Sequence, residues 1–261
     1  NYGWTRSGRI QHSCKTPPRS CGQQHSSLLT TLKNDPYTFA MTDLIAKYHG
    51  LVPYDSAVTL QRELHKSVSE GGPDQLILLQ HPHVFTMGRR AKDQDVLIDQ
   101  ENLANYGIRI HRSDRGGEVT YHGPGQLVGY PIINLRRTGN MGPITYVSKL
   151  QETISNVLSN YSISSETDGR PTGVWVNSKK IASIGVRISN GTSSHGFALN
   201  VTTDLSYFEH IVACGMPDAI ATSISAQTKQ SVSMKEVISS TTNSLSHIFG
   251  TKLLWDESQD W

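Results

Sequence analysis

A chain of 261 residues can hold one domain with a full hydrophobic core plus an appendage. Its formal net charge of +2 is too balanced to argue for a nucleic-acid or membrane-surface partner. The longest apolar runs, such as Leu76 to Leu79, are strand-sized, so no membrane-spanning helix is expected. Three cysteines are too few for a disulfide framework, and a reducing compartment is the default. Cys14 and Cys21 lie near the N-terminus, which leaves Cys214 as the single thiol of the remainder.

The chain opens on a stretch unlike the rest. Asn1 to Asn34 contains no Asp or Glu but carries Arg6, Arg9, Lys15, Arg19 and Lys33 among many Ser, Thr and Gln. That composition is typical of an organelle transit peptide, and the bland alternative is a disordered tail. Residues 1–37 are therefore expected to be a transit or disordered segment, and residues 38–261 the folded domain. A mitochondrial matrix location follows if the segment is a transit peptide, and a cytoplasmic one if it is not.

A helix is predicted from Asp55, a candidate cap, with Ala57, Leu60, Leu64 and Val68 as its apolar stripe and Gly71-Gly72-Pro73 as its stop. Helical periodicity can be traced back to Ala46. Gln75 to Leu79 and Ile108 to His111 read as strands. Glu118 to Tyr121 and Gln126 to Ile133 are β-rich and flank the turn His122-Gly123-Pro124-Gly125. A second helix is predicted near Ile144 to Tyr161. Three strands follow at Gly173 to Val176, Lys180 to Ile188 and Ser194 to Val201, with Asn177-Ser178 and Asn190-Gly191 as hairpin turns. The last helix shows a capping box, Ser233 with Glu236, and Gly250 as its stop. Helices mixed with hairpins imply a single α+β domain with a mixed β-sheet.

The richest segment runs Arg115-Gly116-Gly117-Glu118-Val119-Thr120-Tyr121-His122-Gly123-Pro124-Gly125-Gln126. Glycines here let backbone approach a ligand closely, and successive N–H groups can meet anionic oxygens. It is not a P-loop, since no Gly-Lys-Ser/Thr follows, and its glycine spacing is wrong for a dinucleotide fingerprint. A plain bulged turn remains the alternative.

This segment, continuing to Leu127-Val128-Gly129-Tyr130-Pro131, resembles the signature of the lipoyl(octanoyl) transferase family. Four further blocks match in order: His81 to Arg89, Lys180 to Ile188, Ser194 to Val201, and Asp204-Leu205-Ser206 with Ala213-Cys214-Gly215. Two departures are small: Ala213 and His83 stand where the family commonly has Pro. The resemblance implies a fold similar to the catalytic domain of biotin and lipoate protein ligases. It also implies an acyl pocket walled by Arg115, Gly116, Gly117, Glu118, Val119, Thr120, Tyr121 and His122 on one side. Ser183, Ile184 and Gly185 would form another wall, completed by Gly196, Phe197 and Ala198.

By the same resemblance Cys214 is the acyl-carrying nucleophile and Lys180 its partner. An ammonium beside a thiol raises the thiolate fraction, and a neutral amine there can take a proton from the acceptor; the sequence leaves both roles open. Strand neighbours point to opposite faces, so only one of Lys179 and Lys180 can face the thiol. Without the family, Cys214 reads as a buried structural thiol and Lys180 as an exposed charge. His81 and His83 flank Pro82, which reads as a turn, and no metal is expected. His122 and His195 are expected to hold pocket loops by hydrogen bonds or to polarise the thioester carbonyl.

The activity implied is transfer of an octanoyl group from octanoyl-acyl carrier protein, through a cysteine thioester, to a lysine. The implied acceptors are lipoyl domains of 2-oxoacid dehydrogenase complexes and the glycine-cleavage H protein. No cofactor and no ATP are implied, because the thioester already carries the activation. Two alternatives are an ATP-dependent lipoate protein ligase of the same fold, which would not need Cys214, and a non-catalytic lipoyl-domain binder.

Overall fold

The structure is a computed structural model, and it describes residues 42–213 and 220–256. Cys14, Cys21, Cys214, the expected 1–37 segment and residues 38–41 lie outside the described residues.

The chain begins with β1 (Asp43–Leu51) and then, after Val52-Pro53, enters α1 (Tyr54–Ser69). The helical periodicity traced back to Ala46 is therefore wrong. Pro53 separates a strand from a helix, and a residue before proline disfavours helical backbone. Asp55 is not the cap either: Pro53 occupies that position with no side-chain hydrogen bond, and Asp55 sits in the first turn.

Next come β2 (Asp74–Gln80), β3 (Val84–Met87), α2 (Gln100–Asn105), β4 (Arg109–Arg112), β5 (Val119–His122) and β6 (Gln126–Ile132). The C-terminal half holds α3 (Pro143–Ser159), β7 (Val174–Val176), β8 (Lys179–Ser189), β9 (Thr192–Asn200), α4 (Ile224–Thr228), α5 (Met234–Phe249) and β10 (Lys252–Trp255). The turn residues Asn177, Ser178, Asn190 and Gly191 all have positive φ, as a tight hairpin turn requires. Ser233 accepts the Glu236 N–H at the start of α5, and Gly250 ends it in the left-handed region.

The strands form two sheets rather than one. Seven run β10-β1-β2-β6-β9-β8-β7, with β1 parallel to β10 and β2 and the remaining pairs antiparallel. A three-stranded sheet, β4-β3-β5, stands beside them. Helices cover both faces of the large sheet. Leu76 and Leu78 pack with Leu150 and Ile154 of α3 and with Leu245 of α5. Ile77 and Leu79 point the other way, toward Ala57 and Val68 of α1. A strand buried on both faces explains why Leu76 to Leu79 is continuously apolar. In the small sheet, Phe85, Met87, Val119 and Tyr121 form a separate core with Leu103 and Ile211. Among the described residues, no helix is long and apolar enough to cross a membrane.

Candidate active site

A cavity of about 350 Å³ lies where the small sheet meets β8 and β9. Among its lining are Arg115, Gly116, Gly117, Glu118, Thr120 and His122 from the glycine-rich segment. Ser183, Ile184, Gly185, Gly196, Phe197 and Ala198 line it from the hairpin. All the expected pocket residues therefore meet there except Val119 and Tyr121. Those two alternate with Thr120 and His122 along β5, so their side chains enter the core of the small sheet. Assigning them to the pocket is corrected on that ground: a segment taken as a whole includes residues of both faces.

The walls touch through backbone. The Gly116 N–H donates to the Val186 carbonyl at 3.1 Å. A Cβ on Gly185 would lie 2.9 Å from the Gly116 carbonyl oxygen, so the strand can approach the loop only without a side chain there. Gly185 pairs with Gly196 in the β8–β9 ladder, and the Phe197 ring covers Gly129. The Arg115 guanidinium is buried and donates to the Thr86 carbonyl at 2.5 Å, the Thr86 hydroxyl at 2.8 Å and the Gly116 carbonyl at 2.9 Å.

His195 enters the wall in the left-handed region, φ 57°, an unusual conformation for a β-strand residue. Its Nε2 bonds Asp114 at 2.7 Å, and its backbone N–H donates to Gln61 Oε1 at 2.8 Å. Arg187 also pairs with Asp114. The His195 hydrogen bond and the Arg187 guanidinium hold the Asp114 carboxyl far below the usual range. Asp114 thus fastens the start of the glycine-rich loop to both strands of the hairpin. Burial and the neighbouring His81 and Arg115 keep His122 neutral by pushing its pKa well down. Both histidines make side-chain hydrogen bonds that join segments of the pocket wall.

His81 is buried at the end of β2. Its Nδ1 donates to the Val52 carbonyl at 2.7 Å and its Nε2 meets the Tyr130 hydroxyl at 2.8 Å. Both ring nitrogens are thereby occupied, and burial pushes its pKa down to about 4.

Lys179 is exposed and Lys180 is buried, 7% accessible. Simple alternation would put Lys180 with Ala182 and Ile184, which join the core under α3 and α5. A register shift between Val174 and Trp175 in the β7–β8 pairing breaks that alternation. Lys180 instead shares a small cavity with Ser183, Asn200, Phe208, Ala213 and Ala221. Its Nζ lies 5.3 Å from the Trp175 ring centroid. Gly173 lets the chain cross the lysine stem, since a Cβ there would lie 2.5 Å from Cε.

Main-chain bonds tie a second segment to this lysine. The Lys180 N–H donates to the Ile220 carbonyl at 2.8 Å, and the Thr222 N–H donates to the Lys180 carbonyl at 2.9 Å. Ala213 and Ile220 are the described residues on either side of residues 214–219; Ala213 lines the Lys180 cavity, and Ile220 accepts the Lys180 N–H. Ser183 lines both the small cavity and the large one, so the two adjoin.

Sequence reasoning did not single out Thr86, Asp114, Gln126 or Asn200 as site residues. Gln126 lies inside the glycine-rich motif and was within reach. The others act through contacts that only the packed sheets create.

Residues 53–246 match the lipoyl protein ligase A/B catalytic domain. An octanoyltransferase of Acidobacterium capsulatum is 42% identical over 224 residues, covering 80% of this chain and 91% of its own. The mitochondrial octanoyltransferase LIP2 of Arabidopsis thaliana is 42% identical over 194 residues, covering 72% of this chain and 81% of its own. A bipartite lipoate protein ligase from Thermoplasma acidophilum, solved in a study with its E2 lipoyl domain, superposes with a TM-score of 0.66 at 17% identity. It covers 83% of this chain and 87% of its own, a likeness of fold. The chain belongs to the lipoyl(octanoyl) transferase family, acyltransferases built on the lipoyl protein ligase A/B catalytic domain.

Proposed function

We propose that this octanoyltransferase carries its acyl group on Cys214, with Lys180 as the partner of the thiol. The observation that carries the reading is convergence. The chain before Cys214 shares a cavity with Lys180, the chain after residue 219 is hydrogen-bonded to it, and the acyl-sized cavity adjoins. In the first half-reaction the Cys214 thiolate attacks the octanoyl carbonyl, the carrier's C–S bond breaks, and the carrier thiolate takes up a proton. In the second, a lysine amine attacks the enzyme thioester, the Cys214 C–S bond breaks, and the amine loses a proton as the amide forms. Thioester exchange keeps bond type constant, and amide formation drives the sum forward. An ammonium at Lys180 favours the thiolate; a neutral amine there accepts the proton of the second step.

The acceptors are lipoyl domains. We propose octanoyl-acyl carrier protein as donor, and the lipoyl domains of 2-oxoacid dehydrogenase complexes together with the glycine-cleavage H protein as acceptors. Residues 1–37 serve as a transit peptide to the mitochondrial matrix, a reading supported by their basic composition, free of Asp and Glu through Asn34, and by the mitochondrial plant relative. Loss of the segment should abolish import into isolated mitochondria.

Intact mass after mixing with octanoyl-acyl carrier protein should show one octanoyl adduct, discharged on addition of apo lipoyl domain. Cys214→Ala should show no adduct and no turnover. Activity that requires ATP and survives Cys214→Ala would replace the thioester route with a ligase mechanism. An unaltered protein that neither gains an adduct nor turns over would leave a lipoyl-domain binder.

A further inference from the structure

A file of buried polar side chains runs from the acyl pocket to the segment that holds Lys180. The Arg115 guanidinium donates to the Thr86 hydroxyl at 2.8 Å. The Thr86 hydroxyl meets His122 Nε2 at 3.3 Å, and His122 Nδ1 meets Gln126 Oε1 at 2.7 Å. Gln126 Nε2 donates to Asn200 Oδ1 at 2.9 Å, and Asn200 Nδ2 donates to the Thr222 carbonyl at 2.9 Å. Every side chain in the file is buried, Asn200 to 3% accessible.

The direction of the file is fixed from both ends. A carbonyl accepts only, so the Asn200 atom facing the Thr222 carbonyl must be Nδ2, and Oδ1 must face Gln126. Gln126 Nε2 also donates to the Tyr121 carbonyl at 3.1 Å. Both Gln126 donors are then used, and Oε1 is left for His122, which must carry its proton on Nδ1. His122 Nε2 is then an acceptor for the Thr86 hydroxyl, which in turn accepts from Arg115. One tautomer and one pair of amide orientations satisfy every group, and reversing any member opposes like to like.

Asn200 is the junction. It reads the glycine-rich segment through Gln126, lines the cavity of Lys180, and grips Thr222, whose N–H holds the Lys180 carbonyl. We propose that Asn200 is a positioning residue for acyl transfer, fixing the Ile220–Thr222 segment and with it Lys180 relative to the acyl pocket. The inference rests on the reading of Cys214 and Lys180 as the reacting pair. A displacement on the order of 1 Å at such a pair lowers turnover by about a hundredfold, without loosening substrate held elsewhere.

Asn200→Asp keeps the shape but turns an acceptor toward the Thr222 carbonyl, and Asn200→Ala leaves that carbonyl open. Folded preparations, verified by thermal melting, should lose about tenfold or more in kcat, while KM for octanoyl-acyl carrier protein stays within about twofold. The pH profile of Cys214 alkylation by iodoacetamide should move with kcat. Folded variants with unchanged kcat and unchanged alkylation, or with the loss confined to KM, would overturn the proposal. A second measurement needs no variant: nitrogen-15 spectra of the native enzyme near neutral pH should show His122 protonated on Nδ1 alone. A proton on Nε2 breaks the file and overturns the proposal even if neither variant folds. Cys214→Ala separates the two levels. If it turns over normally, the reading of the reacting pair fails; if it is inactive while the Asn200 variants behave as wild type, only the positioning role fails.

Discussion

Lys180 shows how little a single residue's role depends on its immediate neighbours in sequence. Two lysines stand side by side in β8, and strand geometry guarantees that only one points inward. Which one is decided by the register shift against β7, and by Gly173 and Trp175 closing over the stem. A thiol of ordinary pKa near 8.5 is only about 3% thiolate at pH 7, so a cation nearby has room to act. Lys180→Ala should therefore slow iodoacetamide alkylation of Cys214 at pH 7 by roughly tenfold and shift its midpoint toward that of a free thiol. An unchanged rate–pH profile would remove the cation role and leave the proton-accepting one. His195 makes the same point from the other side. Nothing in Ser194-His195-Gly196 signals a left-handed residue, because the bonds to Gln61 and Asp114 that hold it come from distant parts of the chain.

At the scale of elements, the β7–β8 and β8–β9 hairpins were legible because their turns carry their own chemistry. Asn177-Ser178 and Asn190-Gly191 adopt positive φ, and asparagine and glycine tolerate that better than most residues. Helix α5 was legible for a similar reason, with its Ser233 cap and Gly250 stop written locally. β1 was not, since its residues satisfy either period and only pairing with β2 and β10 selects the strand. Val119 and Tyr121 were misassigned because a motif names a segment, whereas a strand divides it between two faces. The contact of β8 with the glycine-rich loop yields a prediction of its own. Gly185→Ala places a methyl 2.9 Å from the Gly116 carbonyl, so the loop must give way while both sheets remain. The variant should fold, yet KM for the octanoyl donor should rise by roughly tenfold, as expected when a pocket wall is displaced. Steady-state kinetics with a circular-dichroism control would check it, and an unchanged KM would show the wall to be compliant.

Across the whole molecule, burying neutral histidines ties stability to pH. His81 has its pKa pushed down to about 4, and His122 lies well below its ordinary value, both chiefly through burial. Unfolded histidine titrates near 6.5, so between about pH 6.5 and 4 the unfolded chain binds protons the folded one refuses. Stability must therefore fall with pH in that window, by up to about 1.4 kcal/mol per pH unit for each histidine. Asp74, whose carboxyl burial pushes up, works in the opposite sense at more acid pH. Urea unfolding between pH 7 and pH 4.5 should show the decline, and a flat profile would mean these rings reach water. What the sequence determined by itself was local or carried in ordered blocks: hairpin turns, helix ends, the α+β class, the family, and the residue types of the pocket. Those signals need only neighbours along the chain, because turn chemistry and periodicity are short-range. Tertiary structure decided which lysine is buried, which half of the motif faces the cavity, and how Thr86, His122, Gln126 and Asn200 join into one directed file. These depend on strand register and sheet packing, where partners far apart in the chain become nearest neighbours and each polar group must find its complement out of reach of water.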